Sequence, residues 1–298
     1  MKNFKYFFEF ILVIILFLIF RIIGYKNASF LGNIIGRLIG PNFRSKKIIT
    51  ENIKNLNTSI NNHEINLIIK NMWGNYGRIL ADYAYIPSFR KRKLEKYLKI
   101  DGIENLEKIK HSDRPTIFIS GHFNNFELMA MIIEREGINL SAIYRPLNNK
   151  FLNIIMEYLR KRFICKNQIK KGLRGVREAL TNFKKGESLA IMIDQRVSEG
   201  INCKLFGKNA FTTTIPAQFV KKFNCTIQPV YIERVNKINF KIIFDQHLNF
   251  DKDQSIEYIT EKLNKWLESK ISKIQYFSST NFVEKKILAS TNEMSGII

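Results

Sequence analysis

The hydrophobic positions along the chain fall into three regimes. From Tyr6 to Tyr25 the sequence YFFEFILVIILFLIFRIIGY is apolar on every side, and its charges, Glu9 and Arg21, lie near the ends. A run of this length suits a helix crossing a hydrocarbon core, and long side chains near its ends can reach the interface. No small-residue cleavage site follows at Lys26-Asn27-Ala28-Ser29-Phe30, which argues against a signal peptide. From Phe30 to Lys93 the apolar residues recur at helical spacing. Leu31, Ile34, Ile35, Leu38 and Ile39 form a stripe that stops at Gly40-Pro41, where a helix should end. Further helices are expected over 45–56 and from His63 towards Tyr85. Basic residues interleave with these stripes, and both membrane-surface contact and core packing account for them.

Beyond Leu98 short apolar runs alternate with helical stretches. Strands are expected at 97–101, 115–120, 140–144, 188–193, 226–232 and 239–244. Helices are expected at 125–136, 149–160, 172–185, 215–223 and 255–271. That alternation predicts an α/β fold around a largely parallel or mixed sheet. The organisation expected is an N-terminal membrane anchor helix over 1–28, a helical membrane-proximal segment over 29–96, and an α/β core over 97–298.

Charge changes the picture more than composition does. The chain has 298 residues, 45% of them hydrophobic, which is enough for a sizeable core. Forty-eight Lys and Arg stand against 26 Asp and Glu, a formal net charge of +22. Such a surface attracts anionic lipid, an acidic protein or nucleic acid. No aromatic-interleaved basic motif or nucleic-acid module is recognisable, so nucleic acid is not an expected partner. Arg21, Lys26, Arg37, Arg44, Lys46 and Lys47 follow the apolar run, against Lys2 and Lys5 before it. That excess places the body on the cytoplasmic side of a membrane. Cys165, Cys203 and Cys225 are odd in number and widely spaced. A disulfide framework or zinc ribbon is not expected, and buried structural thiols in a reducing compartment are.

The candidate chemistry sits where strands end. Thr116-Ile117-Phe118-Ile119 reads as a buried strand that Ser120-Gly121 breaks. His122 follows at its mouth, Asn124 or Asn125 can cap the next helix, and Glu127 falls in or near its first turn. A carboxylate can fix one imidazole nitrogen and leave the other free to take a proton from a hydroxyl. The plain alternative is a solvated or structural pair. Zinc ligation is not expected, because zinc-binding helices pair two His around a Glu and one His is present here. Arg145, where a strand turns at Pro146, suits a phosphate or carboxylate, or is a surface arginine in a turn. Asp194, closing the strand Ile191-Met192-Ile193, holds a positive partner or makes an Asx-turn. Lys170, Lys171, Arg174 and Arg177 form a solvated face or a docking patch for an acidic partner.

Taken together, these residues resemble the bacterial lipid A biosynthesis acyltransferase family. The resemblance rests on the apolar N-terminal helix and on Trp73-x2-Tyr76-Gly77-Arg78-x2-Ala81-Asp82. It continues through Gly102-x-Glu104-x-Leu106, GHFNNFE at 121–127, YRPLNN at 144–149 and Asp194-Gln195. It ends on Phe206-Gly207-Lys208-x-Ala210-x-Thr212 and Pro216-Ala217. It implies transfer of a fatty acyl chain from acyl carrier protein to a hydroxyl of a lipid A precursor at the bacterial inner membrane. The catalytic domain would face the cytoplasm. The donor's phosphopantetheine belongs to the carrier, so no cofactor of the enzyme's own is implied. His122 matches the family's catalytic base and Glu127 its acidic partner, which would orient the imidazole. Arg145, Asn148, Asn149, Asp194 and Gln195 would contact substrate or shape its pocket. The family's aromatic stretch ending in His-Arg-Arg is replaced here by Gln275-Tyr276-Phe277-Ser278-Ser279-Thr280-Asn281-Phe282. That departure leaves open a different acceptor lipid, such as a lysophospholipid or aminolipid. A basic membrane- or nucleic-acid-binding protein without catalysis is the alternative from another class.

Overall fold

The structure, a computed structural model, describes residues 2–56, 59–112 and 114–276. The tail at 277–298, with most of the stretch that departs from the family pattern, lies outside the described residues.

The apolar run is helix α1, Lys2–Ile23, and among the described helices it alone is long and apolar enough to cross a membrane. Gly24, at φ 80, turns the chain into α2, Tyr25–Ile39. Then come α3, Lys46–Leu56, and the long α4, Asn62–Arg90. A capping box starts α4: the Asn61 side chain accepts from Glu64 N–H while the Glu64 carboxylate accepts from Asn61 N–H. Helix α2 crosses α4 with the two backbones nearly touching. A Cβ placed on Gly77 would lie 1.8 Å from the Gly32 carbonyl oxygen, and one on Gly36 would lie 2.2 Å from the Trp73 oxygen. Small residues at these positions permit the approach.

The rest is a layered α/β arrangement. Its strands are β1 Leu98–Asp101, β2 Ile117–Ser120, β3 Leu140–Tyr144, β4 Asn167–Lys170, β5 Ser188–Met192, β8 Ile227–Val235 and β9 Asn239–Phe244. They form a seven-stranded sheet in the order β1-β9-β8-β2-β5-β3-β4. Strands β8, β2, β5, β3 and β4 run parallel, and β9 turns back antiparallel to β8 with β1 beside it. A separate antiparallel hairpin, β6 Ile201–Leu205 and β7 Lys208–Thr212, follows β5. Helices α5 Ile103–Lys110, α6 Glu127–Arg135, α7 Lys150–Leu159, α8 Leu173–Lys184, α9 Ile215–Phe223 and α10 Ile256–Tyr276 connect and cover the strands. The expected α/β class and all six expected strands are present. Strand β4, the hairpin and α5 were not foreseen. Their sequences, such as NQIK and KNAFT, are too short and polar to show a period.

One buried cluster runs from Phe20 and Tyr25 through Phe89 into the sheet residues Ile117, Phe118 and Ile119. Helix α1 joins it along one side. Leu16, Phe17 and Ile23 pack against it, and the Tyr85 hydroxyl donates to the Phe20 carbonyl. Towards the other end of α1, the Asn149 amide donates to the Tyr6 carbonyl at 2.8 Å and to Glu9 Oε2 at 3.0 Å. The opposite side of α1 exposes Phe4, Phe8, Leu12, Ile15, Leu18 and Ile22. Leaving such side chains in water forgoes about 1.5–3 kcal/mol each. The three cysteines form no disulfide among the described residues and are buried, and burial pushes the Cys165 and Cys225 thiols up to about 12. They are structural, as their spacing suggested.

Candidate active site

The site follows from strand register. In the β2–β5 pair, Ser120 sits opposite Met192. Two residues further along each strand, His122 therefore meets Asp194. The Ile193 N–H still donates to the Ser120 carbonyl at 2.8 Å. The next main-chain donor, His122 N–H, goes instead to Asp194 Oδ2 at 3.0 Å, while His122 Nδ1 lies 2.7 Å from Asp194 Oδ1. One carboxylate thus holds both the backbone and the ring of the same histidine. Asp194 is 2% exposed, whereas His122 remains partly open at the strand mouth. With Nδ1–H donating to Asp194, Nε2 carries a lone pair. The Gln195 amide nitrogen lies 3.2 Å from it. Phe126 packs edge-on against the imidazole, centroids 4.8 Å apart.

Among the described hydrogen bonds Glu127 has none to His122, contrary to the expectation from their spacing. It is buried at the first turn of α6, and its Oε1 accepts from Arg160 Nε at 2.8 Å, Arg160 Nη2 at 2.6 Å and the Tyr83 hydroxyl at 2.8 Å. Those partners lie on α4 and just after α7. Burial and then Glu127 push the Tyr83 phenol up, so it stays a donor. Burial opposes the charge on Arg160, yet Glu127 and Tyr83 outweigh it and its pKa is raised. Asp194 is the carboxylate that meets the imidazole.

Neither Asn124 nor Asn125 caps α6, whose first turn has no side-chain cap. Asn124, at φ 41, donates to the Ile232 carbonyl and accepts from Asn75; Asn125 donates to Asp82. Asp82, 0% exposed, also receives Arg234 Nη2, and Arg234 Nε donates to Asn75 Oδ1 at 2.8 Å. Burial pushes the Asp82 carboxyl up while Arg234 opposes it. The loop carrying His122 is thus fastened to α4 and β8 by amide and carboxylate side chains.

Of the other candidates, Arg145 and Asn148 are exposed beyond the end of β3, on the same sheet edge as His122. Asn149, by contrast, is buried and its side chain is engaged within the chain. Its Oδ1 caps α7 by accepting from Phe151 and Leu152 N–H, and its amide holds α1. Tyr83, Arg160 and Arg234 were missed. The motif through Arg78 and Asp82 marked part of this network, but nothing local to Arg160 or Arg234 shows that each meets a buried carboxylate. Among the described residues no group of three His, Cys, Asp or Glu side chains could hold a metal ion.

The chain thus combines a strand-mouth histidine held by a buried aspartate with a long apolar N-terminal helix. Residues 1–277 match the model of the bacterial lipid A biosynthesis acyltransferases. The chain belongs to that family. It is 21% identical over 207 residues to a lipid A biosynthesis acyltransferase of Haemophilus influenzae, covering 67% of this chain and 64% of that protein. It is 26% identical over 176 residues to the lipid A biosynthesis palmitoleoyltransferase of Escherichia coli, covering 57% and 55%. It is 24% identical over 130 residues to lipid A biosynthesis acyltransferase 2 of Shigella flexneri, covering 43% and 41%. The matched segment spans less than two thirds of each of these relatives.

Proposed function

We propose that this chain transfers a fatty acyl group from the thioester of acyl carrier protein to a hydroxyl of a lipid A precursor, at the inner membrane and on its cytoplasmic side. The observation that carries the reading is the His122–Asp194 pair, 2.7 Å apart at the carboxyl edge of parallel strands, where ligands of open α/β sheets bind. Family membership supplies the reaction class. Asp194 holds Nδ1–H and leaves Nε2 to take the proton of the acceptor hydroxyl. The oxygen attacks the thioester carbonyl. The tetrahedral intermediate then expels the carrier thiolate, which recovers the proton from the imidazolium. Asp194 stabilises that imidazolium without accepting its proton. No acyl-enzyme is needed.

Gln195, whose amide meets Nε2, would give way to the acceptor hydroxyl. Exposed Arg145 and Asn148 would meet substrate oxygens. Lys170, Lys171, Arg174 and Arg177 would meet the acidic carrier. The end of β4 lies three strands from β2, roughly 14 Å at about 4.8 Å per strand. A carrier docked there would need only a flexible arm to present its thioester to His122. In the test, purified protein receives acyl-carrier thioester and a lipid A precursor, and product is read by mass. His122→Ala should abolish the mass gain of one acyl chain with melting unchanged. Turnover within a few-fold of the parent would end the mechanism.

A further inference from the structure

Helix α2 is built inside out for a helix on a watery surface. Gly32, Gly36 and Gly40 face α4, close enough that a Cβ on any of them would lie within 2.4 Å of a residue there. Phe30, Ile34 and Leu38 stand two residues out of phase with these glycines, which is about 200° around the helix. They therefore point away from the body. Phe30 is 63% and Leu38 72% exposed. An ordinary surface helix carries polar residues on that side. The periodicity alone let core packing explain this stripe; the glycine crossing shows that the core is on the other side. Lys26 stands exposed beside the stripe, and Lys46 and Lys47 stand exposed beyond its end.

Two further observations name the occupant. Across the Gly24 corner, α1 continues the pattern: one side packs on the body, and Phe8, Ile15 and Ile22 face outward. That helix has the length and apolarity of a membrane segment. Moreover, α2 starts at the catalytic edge. The Tyr25 hydroxyl donates to the Ile238 carbonyl at 3.0 Å, and the Ser29 hydroxyl to that of Lys237. Both carbonyls belong to the turn that ends β8, which runs parallel to β2.

We infer that α2 lies in the membrane interface, its Phe30, Ile34 and Leu38 among the lipid chains and its cations at anionic headgroups. The enzyme is thus seated on the leaflet by its body and not merely tethered by α1. The seat brings the His122 edge to headgroup level, so a lipid acceptor reaches Nε2 without leaving the membrane. That last consequence rests on the proposed activity; the seat itself does not.

Full-length Ile34→Cys and Leu38→Cys are labelled with an environment-sensitive fluorophore, the native cysteines being buried. Lys184→Cys, at the opposite end of the sheet, is the control. In phosphatidylethanolamine–phosphatidylglycerol vesicles, the α2 labels should be quenched by lipid carrying a shallow spin label and shielded from iodide. The control should show the reverse. Iodide access equal to the control overturns the seat. Shielding without lipid quenching, with a doubled mass, also overturns it and assigns the face to a second copy of the chain. Phe30→Asn with Leu38→Asn should lower transfer to acceptor in vesicles by roughly tenfold or more, a loss of about 1.4 kcal/mol of seating. Transfer to acceptor in neutral detergent micelles should be unchanged. An equal loss in both settings counts against the seat. No transfer by the parent protein, with lipid quenching intact, counts against the activity alone.

Discussion

His122 and Glu127 look like a pair in sequence, and His122 and Asp194, 72 residues apart, are the pair in space. The two carboxylates should therefore fail differently. Asp194→Asn keeps the shape but loses the charge that holds the Nδ1–H tautomer and stabilises the imidazolium. Its kcat should fall by roughly 10³-fold or more, with KM within a few-fold. Glu127→Ala leaves Arg160 buried beside an uncharged space, and breaking such a pair costs about 3–5 kcal/mol. Its signature should be a lowered melting temperature. Chemical denaturation of the two variants beside steady-state rates checks this. A stable Glu127→Ala protein without activity would return the orienting role to Glu127.

Among elements, the α2–α4 crossing has the least tolerance. Gly77→Ala places a methyl 1.8 Å from the Gly32 carbonyl oxygen, a backbone atom that cannot rotate aside. The helices must separate, and Asn75, Arg78 and Asp82 on α4 move with them. The expected cost is about 1–3 kcal/mol or more, or about 2–4 °C of Tm for each kcal/mol in a chain somewhat smaller than this. Transfer should fall with it, because Asn75 and Asp82 hold Asn124 and Asn125 beside His122. Gly186→Ala is the comparison: its φ of 90 strains a side chain, but nothing lies within 4 Å of the added methyl. A Gly77→Ala melting point equal to the parent's would show that the crossing has slack.

For the whole molecule, the charge asymmetry bears on association with an acidic carrier. At the end of β4, Lys171, Leu173, Arg174 and Arg177 are exposed, an apolar knob ringed by cations. Lys171→Glu with Arg174→Glu should raise KM for acyl carrier protein thioesters and leave KM for the lipid acceptor unchanged. In neutral detergent, kcat/KM for that donor should fall as salt rises to where the Debye length is about 8 Å. Equal use of coenzyme A thioesters, or an effect confined to the acceptor, would remove the docking surface.

Periodicity and punctuation determined which segments become helix or strand. The apolar run of α1, the stop at Gly40-Pro41 and the short β-branched runs before His122 and Asp194 act on neighbours in the chain, so they are legible there. The family motifs likewise marked His122, Asp82 and Asp194-Gln195. The sequence did not contain the strand order, and the partnership at the site depends on it. Only after β5 inserts between β2 and β3 does Asp194 come level with His122, leaving Glu127 to Arg160 and Tyr83. Only the tertiary structure decided which side of α2 is inward. An apolar stripe is compatible with core and lipid alike, and it is the glycine contact with α4, between residues far apart in the chain, that separates the two.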